Sequence, residues 1–420
     1  MNKEELISRR NKLINKMDDD SLLILFGGVS KSRSEDEDYP FSINRNFYYL
    51  TGIDQEGSIL VIKKEAGLLN ETLYVSDYNP LIEKWTGKRL TLKEAKEISY
   101  IDNCLFLNQF EVDLESLLKK NNNIYLDFSL FYDIKNHYNV EDFKKDILIK
   151  NKNINFKNIY PLIAELRMIK SDYEIECFKT AINNTNNGLK VLLKNSIEGK
   201  SEYELASLFY HTIHSFSHSE LSFPTISAAG KNATCLHYTT SFDSLKKDDL
   251  ILFDLGSEYK YYCADISRTF PIGDKFTSLE RKIYQIVLDA NKLVIKEARP
   301  GITIKELNNL VTKYMAKKCV EEKLIEKEED IKNVYFHSIS HFIGLDTHDV
   351  SYYSKNPSLR YSEIPLEEGN VISDEPGLYF ENLGIGVRIE DDLLIVKNGC
   401  ECLSKNIIKE IDDIEEFKRR

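Results

Sequence analysis

Four boxes of the form S/T-x-x-E constrain the second half of this chain more than any other feature: Ser171 with Glu174, Ser201 with Glu204, Thr277 with Glu280, and Thr303 with Glu306. In each, a hydroxyl and a carboxylate can satisfy the orphan N–H groups of a helix start, and each opens a periodic stretch. The third helix stops at Arg299-Pro300-Gly301, a strong breaker. After each pair of helices come alternating, β-rich runs, 223–270 and 333–397. The order helix, helix, sheet occurs twice, which predicts an α+β domain of two similar halves.

Upstream, the β-type runs 21–26 (SLLILF), 58–63 (SILVIK), 71–76 (ETLYVS) and 123–128 (NIYLDF) are interleaved with helical stretches. That alternation predicts a smaller α/β domain, with the polar stretch Ser30 to Asp38 as an exposed loop. At 420 residues the chain is long for one ordinary domain, and the expected division is 1–165 and 166–420. A net charge of -12 leaves no basic surplus for phosphates, so a nucleic-acid partner is not expected. No stretch approaches the ~18 apolar residues of a membrane span, and MNKEELISRRNKL has no apolar core of a signal peptide. Seven cysteines without a C-x-x-C spacing read as thiols of a reducing compartment, the cytoplasm.

The chemistry is concentrated in carboxylates set among apolar residues. Asp254 and Asp265 lie in LILFDLGSEYKYYCADISRTF. If the strands reverse at Tyr259-Lys260, the two aspartates stand directly opposite each other, with Cβ atoms about 4.5–5.5 Å apart. Such a pair needs a cation or a shared proton. If the turn lies elsewhere, each aspartate makes its own hydrogen bonds. The same arithmetic places Glu375 opposite Glu390 in SDEPGLYFENLGIGVRIEDD, for a turn centred on Asn382-Leu383. Between the two hairpins, FHSISHFIGLDTHD brings His337, His341 and His348, three of the eight histidines, into fourteen residues. One imidazole added to four carboxylates is an oxygen-rich set suited to Mn²⁺, Co²⁺, Fe²⁺ or Zn²⁺, and it leaves coordination positions open for water and substrate.

DLGSEY…ADISRTF, HFIGLDTHD, EPGLY and GVRIEDD together resemble the five-ligand signature of the pita-bread metallopeptidases, and among them aminopeptidase P (Xaa-Pro aminopeptidase). DYPFSINRNFYYLTG and WTGKRL resemble the creatinase-type N-terminal domain of that branch, which methionyl aminopeptidases lack. The resemblance implies a pita-bread catalytic domain and a metalloexopeptidase that releases the residue preceding proline, with a hydroxide bridging two divalent ions, Mn²⁺ foremost, as nucleophile. It implies Asp254 on one ion, Asp265 and Glu390 bridging both, and His341 and Glu375 completing the second. His237, in NATCLHY, would lie near the scissile bond, and His348 would contact substrate and oxyanion. Glu375 would relay the proton, while His337 and Arg388 would support the ligands or position substrate. Trp85 is a substrate-pocket candidate in a segment near a subunit contact, and a homo-oligomer, dimer or larger, is implied.

Some features depart from the family pattern. Ile364 occupies the place of an arginine suited to a product carboxylate, Arg360 comes four residues too early, and Asp374 replaces an apolar residue before Glu375. The missing arginine favours the aminopeptidase over an Xaa-Pro dipeptidase. A metal-free binding protein on this fold is disfavoured by the intact ligand set. His211, His214 and His218 share a helical face, but no acid or cysteine completes a zinc site there. Cys235 and Cys263 lack a base partner for nucleophilic catalysis.

Overall fold

A computed structural model describes residues 2–419 apart from 66–67, 78, 82, 130–139, 217–218, 241 and 353–355. The described residues form two compact units, Met1–Leu166 and Arg167–Arg420.

In the first unit all four expected β-runs contribute to one sheet of six strands. Its order is Asn103–Phe106, Leu68–Val75, Ile59–Glu65, Ser21–Phe26, Asn123–Leu126, Asn155–Asn158. Ser21–Phe26 runs antiparallel to Ile59–Glu65 and parallel to Asn123–Leu126. It is buried along its whole length, which is why SLLILF is continuously apolar rather than alternating. Phe26 meets Phe143 edge to face at 5.1 Å and Phe110 at 6.4 Å, tying flanking helices to the sheet.

The second unit repeats helix, helix, sheet as expected. Helices Asp172–Asn195 and Glu202–Phe216 precede the strands Ile226–Ala229, Leu250–Leu255 and Ile266–Pro271. Helices Ser278–Glu297 and Ile304–Glu321 precede Val371–Asp374, Gly377–Phe380, Ile385–Arg388, Asp391–Val396 and Gly399–Cys402. All four predicted boxes close in both directions; Thr277 N–H, for example, donates to Glu280 at 2.7 Å while Glu280 N–H donates to Thr277 Oγ1 at 3.3 Å. A fifth, Thr91 with Glu94 in the first unit, follows the same rule. The stretch 333–370 is less regular than expected, carrying only a short 3-10 turn, Tyr361–Glu363, beyond residue 333 among the described residues.

The hairpin registers test the carboxylate arithmetic. In the second hairpin, Gly377 pairs with Arg388 and Asp374 with Asp391, so one register runs through both ladders and places Glu375 opposite Glu390, as expected. The first hairpin differs. Leu255 pairs with Ile266 and Glu258 with Cys263, so Asp254 faces Ser267 and Asp265 falls opposite Gly256. The reversal is at Lys260-Tyr261, one residue later than Tyr259-Lys260, with both residues left-handed (φ 52° and 68°) as a two-residue hairpin turn requires. Asp254 and Asp265 are therefore diagonal neighbours on one face rather than a directly opposed pair.

Gly256 is required by this register. A Cβ there would stand 1.8 Å from the Ala264 carbonyl oxygen, which is backbone and cannot yield. The two hairpins then join: Glu390 N–H donates to Ser267 O at 3.0 Å, and Thr269 Oγ1 donates to Arg388 O at 3.2 Å. Gly256→Ala is expected to destabilise the protein by about 3 kcal/mol or more, whereas Gly399→Ala, with nothing within 4 Å of the added carbon, should change stability by under about 1 kcal/mol. Thermal and urea melts of the two variants check this; equal melting would remove the packing argument.

Candidate metal centre

Each acid is delivered by a strand or by the residue next to one. Asp254 is the penultimate residue of Leu250–Leu255, Asp265 directly precedes Ile266–Pro271, Glu375 directly follows Val371–Asp374, and Glu390 lies between Ile385–Arg388 and Asp391–Val396. His341 comes from the irregular segment before them. Its backbone is stitched to the sheet: Ser373 N–H donates to His341 O at 2.9 Å, Ile343 N–H to Val371 O at 3.0 Å, and Glu375 N–H to Ile339 O at 3.0 Å. The segment so behaves as an added edge that holds the imidazole over the acids.

Asp265, His341 and Glu390 converge so closely that one ligand atom from each lies within 4.8 Å of the others. His341 Nε2 stands 3.3 Å from Asp265 Oδ2 and 3.7 Å from Glu375 Oε1. Its Nδ1 faces the Phe342 carbonyl oxygen at 3.0 Å, so Nδ1–H donates there and Nε2 is the atom turned to the acids. Glu390 Oε2 accepts from Ser267 Oγ at 2.8 Å. Asp254 Oδ2 pairs with Arg388 Nη2 at 2.5 Å, while its Oδ1 is buried with no hydrogen-bond partner among the described residues.

The charge balance explains the proton affinities. Burial lifts the Asp254 carboxyl despite Arg388 beside it, with Asp265 adding to the rise. Burial, with Asp265 and Glu375 nearby, pushes Glu390 well above the carboxylate range. Burial raises Glu375 to about 7, with Asp265 adding to the rise against the pull of His341. Burial disfavours a charged His341, yet Asp265 and Glu375 overcome it and lift the imidazole to about 9. These groups bind protons more tightly than usual because too little positive charge is buried with them. The orphaned Asp254 oxygen and the converging oxygen and nitrogen donors fit a divalent cation, which would take the place of those protons.

Arg388 is the hub of the surroundings. Besides Asp254, its Nη1 donates to the Tyr379 hydroxyl at 2.8 Å and its Nε to Ser267 Oγ at 2.8 Å. One guanidinium thus orients Asp254 directly and Glu390 through Ser267. His337 receives the Tyr379 hydroxyl at Nε2 (2.9 Å) and donates from Nδ1 to Ser338 O (2.8 Å). Burial and Arg388 depress its pKa to about 4, so the ring is neutral, and its Nδ1 stands 3.7 Å from Glu375 Oε2. Ser267 and Tyr379 were missed in the sequence reading. The signal was present, because Ser267 is two residues from Asp265 and Tyr379 four from Glu375, each on the face of its acid.

His348 and His237 are both exposed. The His348 ring meets His341 at 4.1 Å between centroids, tilted by 45°, and burial together with His341 lowers its pKa. His237 lies within electrostatic reach of both His337 and His348. Asp374 points elsewhere: it is fully buried and accepts from Asn291 Nδ2 at 2.9 Å. Ile364 is buried and Arg360 exposed. Trp85 belongs to the first unit and is 90% exposed. His214 bonds Tyr210 O and Glu220, as a solvated helix face does, and His218 lies outside the described residues.

The profile of metallopeptidase family M24 matches residues 176–397, and that of the aminopeptidase P N-terminal domain matches residues 6–125. The chain is 32% identical to the Xaa-Pro aminopeptidase of Haemophilus influenzae, over 98% of this chain and 96% of that protein. Among solved structures it is similar to a Bacillus anthracis protein assigned as an aminopeptidase P, with a TM-score of 0.95, 40% identity, and coverage of 100% of this chain and 99% of that one. It is also similar to Escherichia coli aminopeptidase P with the inhibitor Pro-Leu, with a TM-score of 0.89, 30% identity, and coverage of 100% and 98%. With both profiles matched and the whole length of such relatives covered, the chain belongs to metallopeptidase family M24 and carries the aminopeptidase P N-terminal domain.

Proposed function

We propose that this chain is an Xaa-Pro aminopeptidase, a metalloexopeptidase that releases the N-terminal residue from peptides with proline in second position. The observation that carries this reading is the convergence of Asp265, His341 and Glu390 from two joined hairpins and one stitched segment, with Glu375 against His341 and Asp254 on the strand beside Asp265. Asp254 would hold one of two divalent ions, Asp265 and Glu390 both, and His341 and Glu375 the second, with Mn²⁺ the first choice and Co²⁺, Zn²⁺ or Fe²⁺ alternatives. Divalent ions held there supply Lewis-acid polarisation and lower the pKa of water.

The chain's own groups do the rest. Glu375, with its carboxylate between His341 and His337, is suited to accept a proton and return it to the departing proline nitrogen. That nitrogen is a tertiary amide before cleavage and needs a proton to leave. His237 and His348, both exposed, would donate to the oxyanion or hold the substrate amide. Arg388 and His337 keep Asp254, Glu390 and Glu375 in register through Ser267 and Tyr379. Ile364, buried and apolar, offers nothing to the carboxylate of a dipeptide, which disfavours a dipeptidase. All seven cysteines are free, in keeping with a reducing cytoplasm. We place Trp85 in a contact with substrate or with a second chain of a homo-oligomer, and light scattering that returns a monomer near 49 kDa would refute the assembly.

Loaded with Mn²⁺, the protein should hold about two equivalents per chain and cleave an Xaa-Pro-Yaa tripeptide at least about tenfold faster than an Xaa-Pro dipeptide. Glu390→Gln should lose both ions together. Metal content near zero in the parent, or a preference for the dipeptide, would sink the reading.

Metal uptake should release protons. Glu375 and His341 hold theirs near neutral pH in the metal-free protein, since their pKa values are raised to about 7 and about 9. Both must be deprotonated to bind an ion, so affinity rises with pH, by about one to two log units per pH unit between roughly pH 6 and 7. Titration calorimetry in buffers of different ionisation enthalpy measures the release directly. A proton count of zero contradicts the assignment of these two groups as ligands.

His237→Ala should bind metal normally and lose roughly 10²–10³-fold in kcat, the usual effect of removing one transition-state donor. A metal-replete variant with kcat within about threefold of the parent would give His237 no catalytic role.

A further inference from the structure

His237 is exposed, yet the chain on both sides of it is pinned. Leu236 and Tyr238 pack on a core of Ile226, Ala228, Ala233, Leu252 and Tyr379. The preceding 3-10 turn, Gly230–Thr234, lies so close to the strand Ile385–Arg388 that a Cβ on Gly386 would stand 2.1 Å from the Ala233 carbonyl oxygen. Packing alone leaves the loop's polar groups to be satisfied, and a single side chain satisfies several of them.

That side chain is Glu202, at the start of helix Glu202–Phe216 and wholly buried. Its Oε1 accepts from Ala229 N–H at 2.7 Å and from Asn232 Nδ2 at 3.0 Å. Its Oε2 accepts from the Tyr238 hydroxyl at 2.9 Å and from Asp243 N–H at 3.2 Å. Its backbone N–H donates to Asp243 O at 3.0 Å, and the bridge Ser201 to Ser244 continues that pairing. All four side-chain donors come from residues 229–243, the segment that carries His237, and none is a cation. Burying an acid without a cation is costly unless every lone pair is used. Here every donor it uses lies in one loop, before and after the same histidine.

We propose that Glu202 is a positioning residue for His237, fixing Ala229, Asn232, Tyr238 and Asp243 around it so that the imidazole is held over the metal centre. The proposal rests on the catalytic reading of His237 given above. Glutamine cannot replace Glu202, because an acceptor at Oε1 leaves its NH₂ facing the Asp243 N–H, donor against donor.

The test is a double-mutant cycle of Glu202→Gln and His237→Ala on metal-loaded enzyme. Glu202→Gln alone should keep its metal content and lower kcat by about 10–100-fold, the effect of a small misplacement of a catalytic group. In the His237→Ala background the same change should lower kcat by less than about twofold, because the group it positions is gone. Amide exchange at Ala229 and Asp243 should quicken by about tenfold or more. A merely structural role would lower kcat by the same factor in both backgrounds, and that result overturns the proposal. So does a Glu202→Gln kcat within about twofold of the parent. If Glu202→Gln fails to fold, Tyr238→Phe removes one donor and should lower kcat by about 3–10-fold, again only where His237 is present; an equal loss without His237 is the overturning result. A His237→Ala kcat within about threefold of the parent would instead refute the catalytic reading itself, which the cycle reports separately from the failure of Glu202.

Discussion

The second unit depends on how it neutralises the negative charge it buries. Asp254, Asp265, Asp374, Glu375, Glu390, Asp391 and Asp392 all come from two hairpins that pack side by side. Arg268, fully buried, pairs with Asp391 at 2.8 Å and donates to Glu390 O, and Lys409 reaches Asp391 Oδ2 at 2.5 Å. These cations hold Asp391 below the usual carboxylate range although burial alone would raise it. Arg388 does similar work for Asp254. Three fixed cations do not offset seven acids, and burial keeps Asp374, Asp392 and Glu390 well above their ordinary range. The remainder calls for protons or metal ions, and the acids nearest His341 are arranged for the latter.

The duplicated architecture makes that arrangement possible. A single hairpin presents acids on one face only, at the spacing its register dictates. Two hairpins joined through Ser267 and Glu390 bring acids from separate ladders to one point, without any strand having to bend. The histidine segment closes the remaining side by pairing its backbone with Val371, Ser373 and Glu375. The acids are held by backbone ladders and stitches on every side.

Much of this was legible in the chain. The S/T-x-x-E boxes announce the four helices because their chemistry is local, involving two side chains three residues apart. The opposition of Glu375 and Glu390 was legible because glycines mark the turn between them. The first hairpin misled by one residue because its turn uses Lys260 and Tyr261, which take the left-handed conformation without a glycine to signal it. The partners of Arg388 were also hidden, since Asp254 is 134 residues away and only the packed sheets bring the two together. Asp374, which reads as an extra acid beside the site, turns out to face Asn291, because adjacent strand residues point to opposite sides.

The single register that runs through Asp374, Glu375 and Gly377 and their partners has an evolutionary consequence. Insertion or deletion of one residue in the turn around Asn382-Leu383 would slide both ladders together and carry Glu390 to the opposite side of the sheet from Glu375. The Lys260-Tyr261 turn, tied to Gly256 by the close approach of Ala264, is bound in the same way. Length variation among descendants of this chain is therefore expected at places without a ladder on both sides, such as residues 356–360. The two turns act as fixed rulers, and lineages can change their residues far more freely than their length.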